Sequence, residues 1–196
     1  RLVAQVIRST ERGIGPAAFK DSFMLELLRP VAATDNVETA TASFLRDNTA
    51  AKVDMVILGC WWMTRGLELA TAKQVHLWAE VDNNTVFWTL PVDKTHTGGG
   101  CITRPHKCCC RARLDTICPY HAACRHLRRL YKAFNFKDMD GQKFENFPLF
   151  PNQDGEHLTK SEVISILRSV IALTGTALQR PGPTGGMRDK FGEHVM

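Results

Sequence analysis

The sequence predicts a mostly α domain of the α+β class, a helical body carrying a small antiparallel three-stranded sheet. Two observations lead there. Apolar residues recur at helical spacing on both sides of the chain's middle, and between residues 74 and 108 the period drops from near four to two. A third observation sets the scale. The chain has 196 residues, 44% of them hydrophobic and 23% charged, enough for one domain with a real core. No run of 18 apolar residues occurs, so no membrane span is expected. The segment "RLVAQVIRST" lacks an apolar h-region, and the chain starts at Arg1, so it reads as a piece of a longer protein.

Taken in order, "PAAFKDSFMLELLRP" (16–30) predicts a helix opened by Pro16 and ended by Pro30, with Phe19, Phe23, Met24 and Leu27 on one stripe. A second helix is expected over 34–46, capped by Thr34 or Asp35. "AAKVDMVILG" (50–59) reads as a buried helix, and 65–72 as a short one. "QVHLWAEV" (74–81) alternates as a half-buried strand does, "DNN" (82–84) is turn chemistry, and "TVFWTLPV" (85–92) is rich in β-branched and aromatic residues. "DKTHTGGG" (93–100) is a flexible turn carrying Lys94. "CITRPHKC" (101–108) gives a third strand, weakened by Pro105. Trp61, Trp62, Trp78, Phe87 and Trp88 are assigned to the core.

"PYHAACRHLRRLYKAF" (119–134) predicts a helix with a basic face, 135–157 a loop in which "FPLFP" anchors to the core. "TKSEVISILRSVIAL" (159–173) opens with Thr159 and Glu162, a capping box, ahead of a clear apolar stripe. "QRPGPTGG" (179–186) reads as an irregular loop, and "RDKFGEHVM" (188–196) as the start of a helix.

The net charge of +5 leans towards an anionic partner. "RHLRRLYK", with Arg104, Lys107, Arg125, Arg128 and Arg129, offers a surface for a DNA backbone; a solvated helix face is the plainer alternative. The seven cysteines, an odd number with no secretory signal, suggest a reducing, intracellular compartment. Six of them fall in or beside "CITRPHKCCCRARLDTICPYHAAC". Cys108, Cys110, Cys118 and His121 would supply four zinc ligands in the order C-x-C-x7-C-x2-H. That spacing fits no zinc-finger pattern well, so free cysteines in an insert over 101–126 stand beside the zinc reading, and no residue is assigned to a metal.

Arg65 stands in "GCWWMTRGLELATA" with Glu68 three residues on, an i,i+3 pair at a helix start whose planar fork suits a phosphate. Lys94 follows in a turn between two strands, and His194 much later in "GEHVM". In this order and spacing they resemble the catalytic domain of tyrosine recombinases, the phage-integrase family of DNA breaking-rejoining enzymes. Arg65 and Glu68 match its Arg-x-x-Glu, "LPVDKTHTGGG" its strand turn with a lysine, and "HVM" the opening of its His-x-x-Arg. Met63 departs from the family, many of whose members have glycine there.

The resemblance implies an integrase-like core over 34–196, incomplete at its C-terminal end. Residues 1–33 would be a helical segment, a remnant of a core-binding domain or a linker. It implies site-specific DNA recombination for a mobile element through a covalent 3′-phosphotyrosine. Arg65 would neutralise the phosphate, Glu68 orient Arg65, Lys94 protonate the leaving 5′ oxygen, and His194 position the phosphate. No metal or cofactor is implied. The partners implied are double-stranded DNA and further copies of the parent protein on that DNA, in the nucleus of a eukaryote, with no membrane. The second arginine and the nucleophile are expected beyond Met196, since Tyr120 and Tyr131 both precede His194; this chain alone is expected to be inactive. Two alternatives stay open, a zinc-stabilised nucleic-acid-binding module over 101–126 and an inactive helical interaction domain.

Overall fold

A computed structural model describes residues 24–34, 49–90, 101–110, 115–175, 179–181 and 187–189. The helix expected over 34–46 lies almost wholly outside the described residues, as do Lys94 and His194.

The first described segment is a 3-10 turn, Leu25–Leu28, running into α1, Arg29–Thr34. Pro30 was expected to end a helix, but here it stands at the start of one. Its missing N–H belongs to the first turn, where no intrahelical acceptor is available in any case. Helix α2, Thr49–Trp62, is the apolar centre of the molecule, with Val53, Met55, Ile57, Leu58 and Trp62 almost wholly buried. Such a helix, apolar all round, is stable only when covered on all sides. Helix α4, Pro119–Ala133, and helix α6, Lys160–Leu173, pack against it.

Between α2 and the sheet lies the short helix α3, Gly66–Thr71. Its Leu69 comes so close to α2 that a Cβ on Gly59 would meet Leu69 Cδ1 at 3.2 Å. Strands β1 (Leu77–Glu80), β2 (Thr85–Leu90) and β3 (Ile102–Lys107) form an antiparallel sheet in sequence order. Leu77 faces Trp88, and Phe87 faces Pro105. Pro105 is tolerated because β3 is an edge strand, where a missing ladder donor costs least. Residues 74–76, expected within the first strand, instead form a 3-10 turn.

Period-two alternation sends Val86, Trp88 and Leu90 into the core. It turns Trp78 and Phe87 the other way. Trp78 is 40% exposed and stacks on Phe87 at 5.3 Å across the strand pair. The assignment of both to the core is therefore corrected: neighbouring residues on a strand face opposite sides of the sheet. Trp61 and Trp62 sit at the end of α2, where their indole N–H groups donate to the carbonyls of Ile117 (2.9 Å) and Arg104 (3.0 Å). These two bonds tie α2 to the chain before α4 and to β3.

The stretch after α4 holds more structure than the expected loop. A 3-10 turn, Phe136–Asp138, precedes helix α5, Gly141–Asn146, whose N-cap Asp140 accepts the Lys143 N–H at 2.7 Å. "FPLFP" anchors as expected. Phe147, Leu149 and Phe150 are buried, and Leu149 N–H donates to Ala72 O at 2.7 Å. The capping box of α6 is present, with Thr159 and Glu162 bonded to each other's backbone. Beyond α6, β4 (Gln179–Pro181) pairs antiparallel with β5 (Met187–Asp189), where a loop and a helix start were expected.

Candidate functional site

Two constellations carry chemistry, one at the start of α3 and one between β3 and α4. Arg65 is the N-cap of α3. An arginine has no acceptor to cap a helix with, so only the reverse half of a capping box is physically possible. Glu68 provides it: Oε2 accepts the Arg65 backbone N–H at 2.6 Å, while Oε1 accepts Nε at 2.7 Å and also Nη2. The carboxylate thus holds both the main chain and the guanidinium of one residue. The side chain of Arg65 remains 38% exposed, and its neighbours Met63 and Leu67 are 72% and 60% exposed. The apolar letters around Arg65 do not enclose it in a dry site. They mark an apolar surface beside a guanidinium whose direction is set by Glu68. Met63, where the resembled family often has glycine, adopts the left-handed conformation with φ 52.

The five basic residues assigned to a DNA backbone separate into two groups. Lys107 and Arg128 are exposed, and Arg104 is half-buried on β3. Arg125 and Arg129 point inward. Arg129 is 1% exposed, with Nη2 2.6 Å from Asp54 Oδ2 on α2, and Arg125 Nη2 lies 2.5 Å from Asp54 Oδ1 and 2.6 Å from the Thr116 carbonyl. Their assignment to DNA is corrected on this ground: a guanidinium held by a buried carboxylate is not offered to a phosphate. The sequence held the signal. Ala122, His126 and Arg129 share one helical face with Ala123 and Leu130, and Asp54 is the lone acid in the apolar run of α2.

The second constellation lies at the seam between sheet and helix. Cys108 and Cys110 follow β3 directly, Cys118 is the N-cap of α4, and His121 is in its first turn. The four ligand atoms all lie within 4.8 Å of one another. Cys108 Sγ is 3.5 Å from His121 Nε2 and 3.7 Å from Cys118 Sγ. Backbone bonds fix the frame: Cys108 N–H donates to Asn84 O at 2.8 Å, and Asp115 N–H donates to Cys110 Sγ at 3.0 Å. Asp115 is itself held by Arg29, at 3.0 and 3.2 Å.

The electrostatics divide these thiols. Burial pushes Cys110 up to about 12. Burial also opposes a thiolate at Cys118, but backbone N–H groups of His121, Cys109 and Tyr120 outweigh it and hold Cys118 below the ordinary thiol range. Burial, then the charge of Arg125, lowers His121 and favours the neutral imidazole. Sequence reasoning set out this group of four but could not choose between zinc ligands and free thiols, because proximity of their donor atoms depends on how β3 meets α4.

No protein-family model matches the chain, and no curated protein or solved structure is significantly similar to it. Among the described residues, no helix is long and apolar enough to cross a membrane.

Proposed function

We propose that this chain is part of a tyrosine-recombinase catalytic core acting on double-stranded DNA. The observation that carries the reading is the way Glu68 holds Arg65. With Nε and one proton of Nη2 engaged by Oε1, the outer edge of the guanidinium, Nη1 and the second Nη2 proton, is left for a phosphate oxygen pair. A half-buried arginine aimed by a second residue is what a phosphoryl centre requires, because its charge must already be in place when negative charge redistributes in the transition state.

Two further features support the reading. Met63 holds the left-handed backbone conformation that glycine adopts most readily, at the position where many members of the resembled family have glycine. The three-stranded sheet follows directly, and Lys94 belongs to the connection between its β2 and β3. In the proposed chemistry a tyrosine supplied from further along the polypeptide attacks the phosphodiester, the 5′ oxygen leaves, and Lys94 gives that oxygen its proton. Arg65 holds the phosphate, and His194 assists its placement.

The alternative of an independent zinc module over 101–126 is less well supported. β3 is paired with β2, and α4 packs on α2, so this segment shares the one core.

The test uses the reading frame continued past Met196. An arginine is expected as the next residue and a tyrosine downstream. On a nicked duplex the extended protein should form a covalent adduct, and Arg65→Ala should slow adduct formation by about 10²–10³, the cost of removing one preorganised donor. An adduct that forms equally fast without Arg65 would sink the assignment.

A further inference from the structure

We propose that Cys108, Cys110, Cys118 and His121 form a structural zinc site that fastens the end of β3 to the first turn of α4. This site is independent of the strand-exchange reading and would stand if that reading failed.

Distance is the first argument. A tetrahedral zinc with Zn–S of about 2.3 Å and Zn–N of about 2.0–2.1 Å sets its ligands about 3.8 Å apart for two sulfurs and about 3.6 Å apart for sulfur and nitrogen. Cys108 and Cys118 are separated by 3.7 Å, and Cys108 and His121 Nε2 by 3.5 Å. These two separations are those of a shared cation, and all four ligand atoms lie within 4.8 Å of one another, close enough to converge on one ion. The separations are too long for a disulfide, whose sulfurs lie about 2.05 Å apart.

The number and kind of ligands identify the metal and its role. Three thiolates and an imidazole suit zinc and exclude magnesium and calcium, which take oxygen ligands. Four protein ligands complete a tetrahedron and leave no position for water or substrate, so the site is structural. Its surroundings agree. Cys118 is fully buried, and Cys108 and Cys110 pack against the hydrophobic core. Cys101 and Cys109 are exposed and stand outside the group.

The position shows what the metal would hold. β3 is an edge strand, and seven residues of its connection to α4, 111–117, separate the two ligand pairs. One pair leaves the sheet and the other opens the helix, so the ion would close this connection as a cross-link. It would thereby set the start of the helix whose Arg125 and Arg129 reach Asp54.

The experiment is metal analysis of the full chain, purified with reductant from zinc-supplemented cells. We expect one zinc per chain, three sulfur neighbours and one nitrogen neighbour by X-ray absorption, and a tetrahedral thiolate spectrum on replacement by cobalt(II). Cys118→Ser and His121→Ala should lose the metal, while Cys60→Ser and Cys101→Ser keep it. Should the ligand variants fail to fold, the unaltered chain titrated with a mercurial should release one zinc per chain as its thiols are consumed. A folded, reduced chain that takes up neither zinc nor cobalt would overturn the proposal. So would zinc retained by a Cys110→Ser/His121→Ala double variant, or a Cys108–Cys118 disulfide in the reduced preparation.

Discussion

At the scale of single residues, His126 shows how burial decides chemistry. It is fully buried on α4, and its Nε2 lies 2.7 Å from the Leu149 carbonyl, a geometry in which Nε2–H donates. Burial lowers its pKa to about 4, with the Arg129 charge adding to the effect. An unfolded histidine titrates near 6.5. The folded value is depressed, so the unfolded chain binds the proton first as pH falls. The contribution is fully present above about pH 6.5 and is lost down to about pH 4, amounting to something on the order of 3 kcal/mol. Urea midpoints measured from pH 7.5 to 4.5 should therefore fall less steeply in His126→Gln, whose amide can still donate to Leu149. Parallel curves for the two proteins would remove His126 as the cause. Arg65 illustrates the opposite case: it is only half-buried, and its direction comes from Glu68 rather than from burial.

At the scale of elements, the contact between α2 and α4 rests on one carboxylate. Asp54 accepts from both Arg125 and Arg129, and all three sit where apolar packing would otherwise be expected. A buried pair of this kind adds little net stability over an apolar replacement, but removing one partner strands a charge. Asp54→Leu should cost about 3–5 kcal/mol in chemical denaturation, and adding Arg129→Met to it should recover much of that loss. Additive losses would show that the two residues act separately. Elements whose signals are local were legible in the sequence. Helix α6 announces itself through Thr159, Glu162 and an apolar stripe, and β2 through alternation. Helix α5 was not legible, because six residues, none of them buried, carry too little periodicity. Pro30 misled because proline both ends helices and opens them, and only the chain that follows decides which.

At the scale of the whole molecule, the basic residues no longer form one surface. Lys107 and Arg128 are exposed, whereas Arg129 is buried and Arg125 is half-buried, both held by Asp54. If the exposed pair meets a duplex backbone, each replacement by alanine should reduce the slope of log K against log salt by about 0.9. The Asp54→Leu/Arg129→Met pair should leave the slope unchanged. Fluorescence anisotropy on a duplex of arbitrary sequence at several salt concentrations would check this, and unchanged slopes for Lys107→Ala and Arg128→Ala would place DNA elsewhere.

Sequence alone determined the class of the fold and most of its elements, because helical and strand periods and caps are properties of neighbours in the chain. It also drew attention to Arg65 with Glu68 and to the four possible metal ligands. Tertiary structure decided which of these side chains meet. Asp54 stands 71 residues from Arg125, and Cys108 stands 13 from His121. No local pattern encodes such distances. They follow from the packing of α4 against α2 and β3, where burying apolar surface brings distant polar groups into the same small volume and requires them to pair.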